Sequence, residues 1–178
     1  MLKRSGADRL ILLGHSMGGA VIAHYLTAYS PHPALVGAIL SAPALAIFKT
    51  LSTQIKILAA RALFRVAPNW ILETGLDSRG ISSVPSEVKR YDADPLIHSK
   101  ISVALGKSLI DDAAHAAHAA GVIRVPVLLY HGASDPIVSI DGSRAFALNA
   151  INTEVEYIEF PGYFHECHHE APERAAQI

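Results

Sequence analysis

The stretch Leu10-Ile11-Leu12-Leu13-Gly14-His15-Ser16-Met17-Gly18-Gly19 decides the fold. Its first four residues form a continuous apolar run closed by Gly14. That is the pattern of a strand buried on both faces of a parallel sheet. From Met17 to about Tyr29, small and apolar residues recur at helical spacing (Ala20, Ala23, Leu26, Thr27), and Ser30-Pro31-His32-Pro33 stops the helix. Gly14-x-Ser16-x-Gly18 therefore sits on a sharp strand-to-helix turn that includes His15. Such a turn lifts the Ser16 hydroxyl above the sheet, at a helix N-terminus whose dipole favours negative charge. Gly14 and Gly18 are expected to remove side chains that would clash, and Gly19 to allow close packing. Ser16 is the candidate nucleophile, and the Met17 N–H is the candidate oxyanion donor.

Three further apolar runs read as buried strands: residues 35–40, ended by Ser41-Ala42-Pro43; 125–130, ended by His131-Gly132; and 155–160, ended by Pro161-Gly162. Strands alternating with helices imply an α/β architecture with a parallel sheet. A serine nucleophile needs a base and an acid, and on this kind of turn they follow in the order serine, acid, histidine. Asp135 stands just after the third run and His165 just after the fourth, so both emerge at the sheet edge that carries Ser16. Asp141, Asp111 and Asp112 compete less well, because the first belongs to the next helix and the others to an insertion. The structural alternatives are a turn-capping aspartate at 135 and a surface histidine at 165.

The insertion covers residues 44–121 and divides the core into residues 1–43 and 122–178. Within it, residues 55–66 form an amphipathic helical pattern and residues 101–120 an alanine-rich one, with breakers at Pro68, Gly75, Gly80, Pro85 and Pro95. An insertion of this size reads as a cap over the active-site edge. Phe64 and Trp70 within it either line a lipid cleft or pack the cap. The 178 residues carry a formal net charge of −1, which gives no basic excess for nucleic acid or an anionic membrane. A single cysteine, Cys167, excludes an internal disulfide. No apolar stretch approaches the roughly 20 residues of a membrane span, and the N-terminus lacks a signal-peptide core. A cytoplasmic location is the default expectation.

These residues together resemble the monoacylglycerol lipase-like branch of the α/β-hydrolases, also grouped as serine aminopeptidase-like or lysophospholipase-like hydrolases. The likeness rests on Gly14-His15-Ser16-Met17-Gly18-Gly19, Ser41-Ala42-Pro43-Ala44-Leu45 and Tyr91-Asp92-Ala93-Asp94-Pro95-Leu96. It continues in Val125-Pro126-Val127-Leu128, His131-Gly132-x-x-Asp135 and His165-Glu166 with a later Glu170. The resemblance implies the C-terminal half of an α/β-hydrolase parallel sheet with flanking helices and a helical cap. It implies Ser16, Asp135 and His165 as the triad of a carboxylic ester hydrolase acting on acylglycerol or lysophospholipid esters, with no cofactor and no metal.

Two departures accompany it. Gly80 follows Ser78-Arg79 where the family usually has aspartate. The family's first four strands, and the early His-Gly loop that supplies a second oxyanion donor, are absent, and residues 1–7 read as the end of a preceding helix. The strand at 10–13 is then expected to offer an open apolar edge, suited to pairing with another chain. The alternative function is a hydrolase remnant acting as a binding module. A third reading is a zinc hydrolase, because His165-Glu166-Cys167-His168-His169 matches H-E-x-x-H; a third ligand is lacking, since Glu173 lies two helical turns beyond His165. His15, His24, His32, His98, His115, His118 and His131 read as surface or packing residues.

Overall fold

Each of the four apolar runs becomes a strand, and the strands pair side by side in parallel. A computed structural model describes residues 6–48, 50–176 and 178. Residues 1–5 of the expected preceding helix lie outside the described residues. Strand β1 (Leu10–His15) pairs with β2 (Leu35–Ser41), β2 with β5 (Val127–Gly132), and β5 with β6 (Val155–Phe160), giving the order β1-β2-β5-β6. Pro126 stays outside β5 because it lacks an N–H, yet its carbonyl accepts from Ala38 N at 3.0 Å.

Helices α1 (Met17–Ala28), α4 (Val103–Ala119) and α5 (Asp141–Asn149) enclose the main core with the sheet. Ala23, Leu40, Ala116, Ala120, Leu129 and Phe146 are fully inaccessible there. Small alanine faces let α4 approach α1 and α5 closely, so this helix packs with the core. A second cluster of Tyr130, Phe160, Tyr163 and Cys167 rests on Ile39, Leu128 and Ile158.

Strand β1 departs from the expectation of burial on both faces. Leu10 and Leu12 pack on the core, but Ile11 and Leu13 are 58% and 66% exposed. Helix α1 covers one face of β1, and among the described residues β1 has β2 as its single strand partner.

The insertion contains more regular structure than the sequence suggested. Helix α2 (Leu51–Phe64) starts four residues earlier than expected, where Thr50 and Thr53 cap each other reciprocally. Strands β3 (Ile71–Glu73) and β4 (Lys100–Ser102) form an antiparallel ribbon. Helix α3 (Pro85–Ala93) begins at Pro85, which opens a helix at its first position instead of breaking one. Among the described residues no helix is long and apolar enough to cross a membrane.

Candidate active site

Ser16 joins β1 to α1 with φ 52° and ψ −118°. This left-handed backbone is costly for a residue with a Cβ and persists because the surroundings fix it. Ser16 N donates to Ser41 O at 2.9 Å, and Ser16 O accepts from Ala44 N at 2.9 Å and Ala20 N at 3.1 Å. A Cβ on Gly14 would lie 2.5 Å from Gly18 O, and one on Gly19 would lie 2.8 Å from Pro43 Cβ. Gly18 differs from the expectation: a Cβ there meets nothing within 4 Å among the described residues. The Met17 N–H belongs to the first helical turn, whose donors the helix leaves unpaired.

Asp135 follows β5 and is enclosed by donors. Its Oδ1 accepts from Ile137 N at 2.8 Å and Val138 N at 3.1 Å. Its Oδ2 lies 2.7 Å from His165 Nδ1 and 3.0 Å from His131 Nε2. Burial alone would raise this carboxyl, but hydrogen bonds from His131 and His165 outweigh it and hold it well below the usual range. A carboxylate only accepts, so both ring nitrogens donate to it. In the neutral imidazole this leaves His165 Nε2 unprotonated. It also makes His131 Nδ1 the acceptor of the Ser143 hydroxyl at 2.7 Å. His131 is wholly buried beneath Asp135, a supporting role that the sequence did not reveal.

The loop carrying His165 is bound on two sides. Gly132 lies so close that a Cβ would stand 2.2 Å from Phe164 O. From the cap, Gly80 O accepts from His165 N at 3.3 Å and Ile81 O from Glu166 N at 2.7 Å. Glu170, with its side chain wholly buried, accepts from Ser83 N at 3.1 Å, Phe164 N at 3.0 Å and the Ser83 hydroxyl. The glycine at 80 is a steric requirement, because a Cβ would lie 2.7 Å from Pro136 Cγ and 2.9 Å from Ile137 Cγ1.

Ser16, His165, His15, Ile81, Tyr91 and Ile137 share the wall of one cavity of about 480 Å³. No hydrogen bond joins Ser16 Oγ to His165 among the described residues. The His15 ring lies 4.7 Å from the His165 ring at a tilt of 52° and bonds through Nδ1 to Ser41 Oγ at 3.0 Å. Burial, then the neighbouring His165 and His168, push His15 down to about 3, so it is an uncharged wall at neutral pH. A second, more apolar cavity of about 570 Å³ lies between α2, α4 and α5.

The H-E-x-x-H reading fails on geometry. His165 Nδ1 is committed to Asp135, while His169 Nδ1 bonds Glu166 Oε2 at 2.6 Å. Residues Cys167–His169 form a 3-10 turn, which does not set positions 165 and 169 on one helical face.

A family model described as serine aminopeptidase, S33, matches residues 1–172. The monoacylglycerol lipase of Mycolicibacterium smegmatis is 30% identical over 166 residues, covering 92% of this chain and 58% of that protein. Human monoglyceride lipase is 32% identical over 165 residues, covering 92% of this chain and 54% of that protein. The chain thus spans little more than half the length of these relatives. The crystal structure of Paleococcus ferrophilus monoacylglycerol lipase superposes with a TM-score of 0.88 at 34% identity, covering 99% of this chain and 66% of that one. A monoglyceride lipase variant from Saccharomyces cerevisiae, at 24% identity and a TM-score of 0.85 over 99% of this chain and 60% of that one, shares the fold.

Proposed function

Because the chain belongs to the serine aminopeptidase (S33) family of α/β-hydrolases, we propose that its cavity hydrolyses carboxylic esters of acylglycerol or lysophospholipid type. The observation that carries this reading is the Asp135–His165 pair, 2.7 Å apart, whose histidine lines the cavity that Ser16 enters from a left-handed turn. The names of the relatives support an acylglycerol substrate, and Leu76, Ile81, Ile97 and Ile137 give the cavity apolar wall for an acyl chain.

The chemistry follows from the protonation states. Ser16 Oγ adds to the ester carbonyl carbon while His165 Nε2 takes its proton. Asp135 holds the imidazole in the needed tautomer and stabilises the imidazolium. The Met17 N–H donates to the oxyanion, and such a donor contributes about 10²–10³ in turnover. Collapse expels the alcohol, protonated from His165, and leaves Ser16 acylated. Water, deprotonated by His165, then releases the acid. The neutral His15 ring does not compete for the proton. Proton transfer needs Ser16 Oγ within hydrogen-bond reach of His165, so a side-chain rotation of Ser16 precedes it.

Fluorophosphonate labelling tests this. The folded chain is expected to be labelled, and Ser16→Ala to lose the label. A folded wild-type chain that stays unlabelled overturns the hydrolase reading. It would then favour a second one, which rests on the exposed Ile11 and Leu13 of the β1 edge: a binding module that pairs through that edge, with a copy of itself among the partners.

A further inference from the structure

One residue beyond the base lies a cluster that ester hydrolysis leaves unused. Glu166, His168 and His169 share the 3-10 turn after β6, and one donor atom of each lies within 4.8 Å of the other two. Glu166 Oε2 and His169 Nδ1 already share a proton at 2.6 Å, and the His168 and His169 rings stand 4.4 Å apart. The turn is anchored before any ion arrives. Glu166 N donates to Ile81 O at 2.7 Å, His169 N to Glu166 O at 2.8 Å, and Ser82 Oγ to His169 O at 2.6 Å. Such outer contacts fix the stems of metal ligands. His168 is exposed and gives an ion its way in, while Glu166 forms part of the active-site cavity wall.

We propose that Glu166, His168 and His169 bind a divalent transition cation of the zinc type, and that this cation inhibits hydrolysis at Ser16. Two imidazole nitrogens and one carboxylate oxygen are a donor set suited to zinc, with water as the fourth ligand. Hard cations such as magnesium prefer oxygen alone. Bonds of about 2.1 Å set tetrahedral ligand atoms roughly 3.4 Å apart, so closing from 4.8 Å takes side-chain rotation only. Where the cation takes the place of the proton between Glu166 and His169, that proton passes from His169 Nδ1 to Nε2, so the ligand stays a neutral imidazole.

Inhibition follows from position. The His168 ring meets His15 edge-on at 5.3 Å, and the His15 ring lies tilted 4.7 Å from that of His165. A hydrated cation held on Glu166, which lines the same cavity as Ser16 and His165, takes up room that an ester must enter. The inhibitory half rests on the proposed hydrolase reading, whereas the binding half stands without it.

Isothermal calorimetry of the chain with zinc chloride in a non-chelating buffer reads binding without activity. One zinc ion per chain at about micromolar Kd is expected, weakened at least tenfold in His168→Ala and in Glu166→Gln, with no heat from magnesium chloride. Zinc is expected to slow fluorophosphonate labelling of wild type at least fivefold, reversibly with chelator, and to leave His168→Ala labelling unchanged. Undiminished binding in His168→Ala/His169→Ala would assign the ion to others of the ten histidines and overturn the site. Binding only at millimolar zinc overturns it as an adventitious ion only. Tight binding without slowed labelling overturns the inhibition. Absence of labelling without zinc overturns the hydrolase reading and the inhibition with it, while calorimetry still decides the site.

Discussion

The acid–base side of the cavity and the nucleophile side are supported very differently. On the β5–β6 side, Asp135 has four hydrogen-bond partners, and both nitrogens of the buried His131 are engaged. Glu170 ties the His165 loop to the cap, and Gly132 leaves no room for a methyl group. On the β1–α1 side, Ile11, Leu13 and Val21 are 58%, 66% and 60% exposed, and Gly18 faces open space. Ser16 is held by its backbone bonds to Ser41, Ala44 and Ala20, with no hydrogen bond to its base. One half of the constellation is fixed by its own side-chain network, and the other only by the course of the main chain. On the proposed reading, preorganisation is therefore a property of the Asp135–His165 pair more than of Ser16.

Substitutions on the two sides separate these kinds of support. The largest effect belongs to Asp135→Asn, which preserves shape but permits the wrong histidine tautomer. Turnover of a chromogenic ester is expected to fall on the order of 10⁴-fold; a loss under tenfold would mean that Asp135 does not orient His165. Gly132→Ala drives a methyl group into the Phe164 and Tyr163 carbonyls and is expected to cost about 3 kcal/mol in urea unfolding. Glu170→Ala strands the Ser83 and Phe164 donors, and about 2–3 kcal/mol of stability should go with it, read as a lowered Tm.

A pH series probes the boundary between the sides. The folded value of His15, about 3, lies below its unfolded value, so the unfolded chain binds the extra proton between about 6.5 and 3. Stability is full above that window and falls as pH drops through it, by about 2 kcal/mol at pH 5. Asp135, also depressed, withdraws its own contribution as pH falls below about 4. The urea midpoint of wild type should decline from pH 7 to pH 5, and that of His15→Asn should decline less, keeping the share of His168, which burial also holds below its ordinary value. The smallest effect is expected on the open side: Gly18→Ala, unlike Gly132→Ala, should leave stability equal or up to about 1 kcal/mol higher, since alanine is the better helix former. A large loss at position 18 would break the contrast.

What the sequence reveals follows the same division between local and distant causes. The four strands, the Ser16 turn and the post-strand positions of Asp135 and His165 are legible because apolar runs, glycines and chain order are local signals. His131 is not, because nothing in its neighbourhood distinguishes a packing histidine from one lying under a carboxylate. The β3–β4 ribbon escapes because three-residue strands carry no readable period, and α3 escapes because Pro85 signals a start as readily as a stop. Exposure of Ile11 and Leu13 fits the open edge expected at residues 10–13 but not burial on both faces, because an apolar run does not say which helices will cover it. The H-E-x-x-H pattern misleads because its meaning depends on an α-helix, and the chain makes a 3-10 turn there. Glu170 is visible as a matching letter, but its function as a clamp emerges only where Ser83, distant in sequence, comes beside it.

The bonds between residues 80–83 and 164–170 bear on how such chains can diverge. The carbonyls of Gly80 and Ile81 hold the amides on either side of the base's own position, and Ser83 fills the Glu170 carboxylate. An insertion within 80–83 would shift His165, the proposed base, and a Cβ at 80 would collide with Pro136. Segments such as 65–70 and 94–99 touch none of these bonds and are tied within the insertion instead, where Trp70 O accepts from Val103 N at 2.9 Å and Ser99 O from Thr74 N at 2.7 Å. Most of the insertion is thus held by contacts of its own, while one short passage of it is bound to the loop that carries His165.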